Sequence, residues 1–186
     1  MIYKKIIILK SSPYKPKKGI SSKNIRKPFK VFLNKLKNKN FNYNGKDELG
    51  DIKLIAKFFK VKVRFLKEFD YKGEFDYKEN LITIRINSKI KKIPYTKKQI
   101  RATFTHELSH LIQKRVNVFK DKKLSDCLML EQEAESAAYE LCKIFYPKLN
   151  FSKKLFNSYF KENDIIYLGK YYKNYALNDL FKWRKK

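Results

Sequence analysis

The chain has 186 residues, which is enough for one domain with a buried core and too few for two ordinary domains. Its formal net charge is +27, from 45 Lys and Arg against 18 Asp and Glu, and such a charge favours weak, salt-dependent affinity for nucleic acid. Most of these residues are lysines, and lysine lacks the planar fork with which arginine recognises bases, so the composition argues against sequence-specific readout.

The sequence predicts a soluble, cytoplasmic (intracellular) protein with no membrane partner. The first apolar run, Ile6 to Leu9, is too short for the hydrophobic region of a signal peptide and far too short for a membrane span. The only two cysteines, Cys127 and Cys142, are too few for the disulfide framework of a small secreted protein.

The first 46 residues predict a strand and a basic arm. Residues 1–9 have the pattern of a short strand, whereas 10–28 contain prolines and a glycine that would interrupt a helix. A short helix is predicted over 29–36. A clearer helix is predicted over 47–60, because apolar residues recur there at helical spacing: Leu49, Ile52, Ile55, Ala56 and Phe59.

Three extended segments follow, and the alternation of apolar and polar residues in them predicts strands. They cover 61–66, 74–78 and 82–87. Consecutive strands of this kind predict an antiparallel meander with one face in water. In that arrangement the last strand, 81–87, lies at an edge of the sheet, where it could hold an extended peptide substrate by strand addition.

A longer helix is predicted from Thr96 to about Arg115. Thr96 and Gln99 have the spacing of a capping box, in which each side chain hydrogen-bonds to the backbone of the other residue. Another helix is predicted over 126–145, ended by the proline at 147. The remaining residues to 186 are basic and aromatic and predict a helical extension.

The only two histidines of the chain, His106 and His110, lie in the sequence His-Glu-Leu-Ser-His. Two histidines four residues apart share one face of a helix and can bind one zinc ion, while Glu107 between them can act as the general base of a peptidase. A catalytic zinc needs three protein ligands and an open position. Because no other histidine exists, a carboxylate has to supply the third ligand.

The acidic stretch in the next helix offers this third ligand. Glu131 shares a helical face with Ala134, whose small side chain would allow close approach to the histidine helix. Glu133 is the alternative metal ligand, because periodicity alone does not exclude it, and Cys127 is a lesser candidate. Glu135, one turn after Glu131, is placed to accept the free ring N–H of a ligating histidine.

Two motifs, HELSH at 106–110 and EQEAESAA at 131–138, together resemble the gluzincin pattern HExxH followed by ExxA(D/N)xxA. The chain is most similar to the ImmA/IrrE-type metallopeptidases, whose second motif typically reads ExxANxFA. Here Glu135 stands where that family has Asn or Asp, and Ala137 stands where it has Phe. The order of elements between 47 and 146 also resembles the core of that family.

The resemblance implies an α+β fold with a zincin-like core, in which a small antiparallel or mixed sheet packs on the HExxH helix and a following glutamate-bearing helix. It implies that His106, His110 and Glu131 hold Zn²⁺ and that Glu107 is the catalytic base. The predicted organisation is one domain overall, with an N-terminal strand and basic arm at 1–46, the metallopeptidase core at 47–146 and a basic aromatic extension at 147–186.

We therefore expect a zinc-dependent metalloendopeptidase that hydrolyses a specific intracellular protein or peptide target. The alternative is a basic nucleic-acid-binding protein in which the zinc is structural or absent, because the charge and the aromatic C-terminal residues would suit that role. Three residues have the chemistry of an oxyanion donor, and their spacing does not distinguish them: Tyr95, Arg101 and Tyr139.

Overall fold

The structure is a computed structural model that describes residues 20–39, 41, 43, 47–68, 72–87, 94–116 and 124–156, except the side chains of 48 and 124–129. The predicted strand over 1–9, most of the basic arm and the extension beyond 156 lie outside the described residues. The side chain of Cys127 lies outside them as well.

The described residues form a mixed α+β fold with four α-helices. Helix α1 spans Lys27–Lys37, α2 spans Glu48–Phe58, α3 spans Lys97–Arg115 and α4 spans Leu124–Phe145. Short 3-10 turns precede α1 at Ser22–Asn24 and follow α4 at Lys153–Phe156. The helices predicted over 29–36, 47–60, 96–115 and 126–145 are confirmed, with their ends shifted by two residues or fewer. The described part of the predicted helical extension after 147 contains only the 3-10 turn.

The capping box predicted for α3 is confirmed. The Thr96 hydroxyl accepts a hydrogen bond from the Gln99 backbone N–H at 3.3 Å, and Gln99 Oε1 accepts one from the Thr96 backbone N–H at 2.8 Å. These bonds satisfy backbone donors that have no partner inside the helix. They fix where α3 begins and therefore which face of the helix carries each side chain that follows.

Within the described ranges the sheet is mixed and has three strands: β1 at Lys62–Leu66, β2 at Gly73–Asp76 and β3 at Leu81–Arg85. Its order is β1-β3-β2, with β1 parallel to β3 and β2 antiparallel to β3. The antiparallel meander is therefore wrong, while the mixed sheet in the predicted fold class is confirmed. An alternating pattern reports which side chains share a face, but it does not report the order of the strands.

Strand β3 lies in the middle of the sheet because it pairs with β1 on one edge and with β2 on the other, and both of its faces are covered as well. Ile82 and Ile84 are fully buried on one face, and Thr83 and Arg85 are buried on the other. Strand β1 instead alternates exposed and half-buried residues, as an edge strand does. The prediction that 81–87 would hold a peptide at a sheet edge is wrong, because β3 is already paired on both sides.

Helix α3 is enclosed by the rest of the fold. It packs on β2 and β3 and also on α4, and every residue from Ile100 to Gln113 except Thr103 is buried. A helix buried on all sides carries its polar residues into the interior, where they need hydrogen-bond partners. Two of these partners lie within the helix itself, since Thr105 donates to the Arg101 carbonyl at 3.0 Å and Ser109 donates to the Thr105 carbonyl at 2.7 Å.

Small side chains line α4 where it meets the core. Ala134, Ala137 and Ala138 are fully buried, and Cys142 Sγ lies 3.2 Å from the hydroxyl of Thr105 on α3. Side chains of this size let two helix backbones come close together. Burial raises the pKa of the Cys142 thiol to about 12, which fits a packed and unreactive cysteine.

The described residues before 47 and after 146 also contribute side chains to the core. Apolar residues from each side of the central segment belong to one buried cluster: Ile20, Ile25, Phe29, Leu33, Leu36, Phe151 and Phe156. Among the described residues, no helix combines the length and the apolar character that a membrane span requires.

Candidate metal centre

Helix α3 places its two histidines side by side in the interior. His106 and His110 are 5% and 8% exposed, and their rings meet edge to face with centroids 4.8 Å apart. The Nε2 atoms of the two rings are 3.1 Å from each other. Two buried imidazole nitrogens that converge in this way need a proton or a cation between them, because two lone pairs at that distance repel.

Helix α4 brings a carboxylate to the same point. Glu131 Oε2 lies 3.2 Å from His106 Nε2 and 3.4 Å from His110 Nε2. Ligand atoms about 2.0–2.1 Å from a tetrahedral zinc are separated by roughly 3.3 Å, so the three atoms have the spacing of one face of such a site. The buried cluster of His106, His110 and Glu131 could therefore hold a metal ion.

The electrostatics of this cluster favour positive charge. Burial alone would lower the pKa of His106, but Glu135, Glu131 and Glu107 outweigh it and hold that pKa well above its usual value. Burial likewise opposes the charge of Glu131, yet His110 and His106 hold the pKa of this carboxyl well below its usual range. A buried cluster that stabilises imidazolium against carboxylate offers the same stabilisation to a bound cation.

Glu107 is buried next to the cluster but is not part of it. It is 4% exposed, and burial raises its pKa, although the two neighbouring histidines act in the opposite direction. Strand β2 lies directly against it: a Cβ atom at Gly73 would be 2.8 Å from Glu107 Oε1 and 2.6 Å from Thr103 Cγ2. Gly73 is therefore the residue that allows the strand to approach this carboxyl group.

The two other glutamates of α4 have different surroundings. Glu135 Oε2 lies 3.8 Å from Nδ1 of His106, the ring nitrogen opposite the one that faces Glu131. Glu133, the alternative ligand, does not join the cluster. Its carboxylate accepts from the Arg26 backbone at 2.7 Å, from the Arg26 guanidinium at 2.6 Å and from Gln113 at 3.0 Å.

Sequence reasoning missed Gln113 and Arg26. Gln113 Oε1 lies 2.9 Å from Nδ1 of His110, so it contacts the ring nitrogen that does not face the cluster. Its position three residues after His110 on the same helix is a signal that could have identified it. No signal points to Arg26, which meets Glu133 across 107 positions of sequence.

The candidate oxyanion donors contact other parts of the fold. Arg101 is 1% exposed, lies 3.5 Å from Asp51 and stacks over the ring of Tyr146. The Tyr95 hydroxyl accepts a hydrogen bond from Arg85 at 3.0 Å, and Tyr139 packs edge to face on Phe156.

No family model, no curated protein and no solved structure matches the chain.

Substitution of Gly73 by alanine should destabilise the protein by about 1–3 kcal/mol, because the added methyl group overpacks the contact between β2 and α3. Denaturant unfolding measures this loss. The double variant Gly73→Ala, Thr103→Ser is the matched control, since it removes Thr103 Cγ2 and should recover part of the loss. A Gly73→Ala variant as stable as the wild type would show that the strand does not press on Glu107.

The metal-free protein should lose stability as the pH rises above about 6.5. The raised pKa values of His106 and His110 keep protons on the folded state that the unfolded chain has already released, so a higher pH favours unfolding. Unfolding in the presence of a chelator, from about pH 6 to 8.5, tests this. In Glu131→Gln the slope should be smaller, and stability that is constant or rises over this range in the wild type contradicts the prediction.

Proposed function

We propose that this protein is a zinc-dependent metallopeptidase that hydrolyses peptide bonds in a specific intracellular protein. The observation that carries the proposal is the convergence of His106, His110 and Glu131 beside the buried carboxyl group of Glu107. Two imidazoles and one carboxylate, with a fourth position left open, are the ligand set of many catalytic zinc sites. The narrow target follows from the resemblance of the motifs at 106–110 and 131–138 to the ImmA/IrrE-type family.

Zinc suits these donors better than magnesium or calcium, because imidazole nitrogen favours a softer metal than the hard cations that select oxygen. When bound, such an ion acts as a Lewis acid, polarising a carbonyl group and making water more acidic. Glu107 would take the proton of the attacking water and later deliver it to the leaving amine. Burial shifts the pKa of Glu107 upwards, in the direction of neutral pH. A group that both accepts and returns a proton works best when its pKa is near the working pH.

A peptide substrate fits the surroundings of Glu107. Among the described strands, β2 is an edge strand, and its first residue, Gly73, lies against that carboxyl group. An extended peptide paired with the outer edge of β2 would pass close to Glu107 with its backbone held by main-chain hydrogen bonds. The sequence predicted that 81–87 would pair with the substrate. Because β3 is the central strand, we assign this pairing to β2 instead.

A nucleic-acid-binding protein remains the second candidate function. One described element favours it: four lysines of α1 are exposed, Lys27, Lys30, Lys35 and Lys37. Such a surface attracts a polyanion without reading its sequence. DNA binding that persists after removal of the metal, together with no peptide cleavage, would favour this candidate over the peptidase.

Metal analysis of the purified protein tests the ligand set. We expect about one zinc per wild-type chain and a loss of tight binding in His106→Ala and Glu131→Ala, larger than the roughly 10- to 100-fold effect of an outer hydrogen-bond partner. Glu133→Gln should still bind one equivalent, with a much smaller loss of affinity than Glu131→Ala, because Glu133 lies outside the cluster and acts on His110 only through Gln113. Zinc retained in Glu131→Ala but lost in Glu133→Gln would contradict this assignment.

The role of Glu107 is tested by an isosteric change. Glu107→Gln should keep its zinc and reduce peptide hydrolysis by about 10²- to 10⁴-fold, because the amide cannot accept the proton. Cleavage is measured on a peptide library by mass spectrometry of the new N-termini. Glu140→Gln on α4 is the control, since Glu140 pairs with Lys143 at the surface. Equal cleavage by the wild type and Glu107→Gln would contradict the assigned role.

A further inference from the structure

A continuous chain of hydrogen bonds joins the N-terminal segment to His110. The guanidinium of Arg26 donates to Glu133 Oε2 at 2.6 Å, and Gln113 Nε2 donates to the same oxygen at 3.0 Å. Gln113 Oε1 then lies 2.9 Å from His110 Nδ1. The residues in this series of hydrogen bonds are buried except for the Arg26 side chain: Glu133 is 1% exposed and Gln113 is fully buried.

The chemistry of the acceptors fixes the orientation of the Gln113 amide. Both carboxylate oxygens of Glu133 already accept from Arg26, so Glu133 faces Gln113 as an acceptor. The second acceptor on Gln113 Nε2 is the backbone carbonyl of Leu130, at 2.8 Å, and a carbonyl cannot donate. The amino group of the amide must therefore face these two oxygens, which leaves only Oε1 to face His110.

The orientation of the amide in turn fixes the tautomer of His110. An amide oxygen only accepts, so His110 Nδ1 must carry the hydrogen of the 2.9 Å bond. In the neutral ring the lone pair is then on Nε2, the atom that faces His106 and Glu131. An inverted Gln113 amide would present N–H groups to Nδ1 and favour the tautomer with hydrogen on Nε2, which leaves that atom no lone pair for a metal in the cluster.

We propose that Arg26 is a positioning residue for the metal centre, acting through Glu133 and Gln113 to hold His110 in its metal-binding tautomer. This inference rests on the proposed metal function and adds to it that residues 21–26 are part of the site. The segment is attached along one face of α4, since the Ser21 backbone and the Asn24 side chain each lie 3.4 Å from Ser136 Oγ as donors. Glu133 and Ser136, three positions apart, share that face.

The two-pronged ion pair between Arg26 and Glu133 fixes the position of the Glu133 carboxylate against Gln113. Arginine offers two parallel donors to a carboxylate and thereby restricts its rotation, which a single lysine ammonium does not. Without the Arg26 guanidinium, Glu133 keeps only the backbone N–H of residue 26 as a donor to Oε1, and Oε2 can rotate away from Gln113. The amide of Gln113 then keeps only the Leu130 carbonyl as a fixed acceptor, and its preference for one orientation weakens.

The test is a double-mutant cycle on zinc affinity, measured by competition with a chromophoric chelator. We expect Gln113→Leu to weaken zinc binding by about 10- to 100-fold, as the loss of an outer partner of a ligating histidine does. Arg26→Ala should weaken it by roughly 3- to 10-fold, because its effect is indirect. The double variant should bind within about twofold of Gln113→Leu alone, since Arg26 has no route to His110 once Gln113 is removed.

A matched control and a spectroscopic readout separate positioning from a general loss of stability. Lys27→Ala removes the same charge from the neighbouring exposed position and should change zinc affinity by less than about twofold. The visible absorption of Co²⁺ in the loaded site should change in Gln113→Leu and Arg26→Ala but not in Lys27→Ala. Arg26→Lys keeps the charge without the fork and should fall between the wild type and Arg26→Ala.

Three outcomes overturn the proposal. Arg26→Lys and Arg26→Ala with wild-type zinc affinity would show that the ion pair does not reach the site. Effects of Arg26→Ala and Gln113→Leu that multiply in the double variant would show that the two residues act independently. A wild-type chain that binds neither zinc nor Co²⁺ would overturn the proposed metal function as well, whereas the first two outcomes leave that function standing.

Discussion

The close packing of α4 on α3 is the constraint on which the candidate site depends. The two histidines belong to α3, but the carboxylate that meets them at 3.2 and 3.4 Å belongs to α4. A glutamate side chain is too short to bridge helices held apart by large residues. The fully buried alanines at 134, 137 and 138 are small enough to let the helices approach closely. The contact between Thr105 and Cys142 continues this packing towards the C-terminal end of α4.

This packing also puts an unusual amount of charge into the interior. Glu107, Glu131, Glu133 and Glu135 are all at most 5% exposed in a protein whose formal net charge is +27. Buried carboxylates are costly unless each has a partner, and here the partners divide between two sites. Histidines face Glu131 and Glu135, whereas Arg26 and Gln113 face Glu133. The division explains why one carboxylate of this stretch is available to a cation while its neighbour two positions away is occupied.

Much of the helical part of the fold could be predicted from sequence, because local chemistry determines it. The capping box fixes the start of α3, and the spacing of His106 and His110 then fixes their common face. The sheet order could not be predicted, because the pairing of β1 with β3 depends on contacts across 19 positions of sequence, which alternation does not encode. Periodicity also failed to separate Glu131 from Glu133, since every residue from Leu130 to Ala138 is buried. A helix without an exposed face has no amphipathic signal to read.

The absence of an exposed face on this part of α4 has a physical origin that links both halves of the site. One side of the helix is covered by α3, and the other by the segment that carries Ser21, Asn24 and Arg26. Each covering element engages α4 through its glutamates: α3 through Glu131 and the N-terminal segment through Glu133. Gln113 belongs to α3 yet reaches Glu133, so it joins the two sides. Detachment of the N-terminal segment would therefore affect both the helix that supplies Glu131 and the ring of His110. For this reason residues 21–26 belong to the structure of the centre.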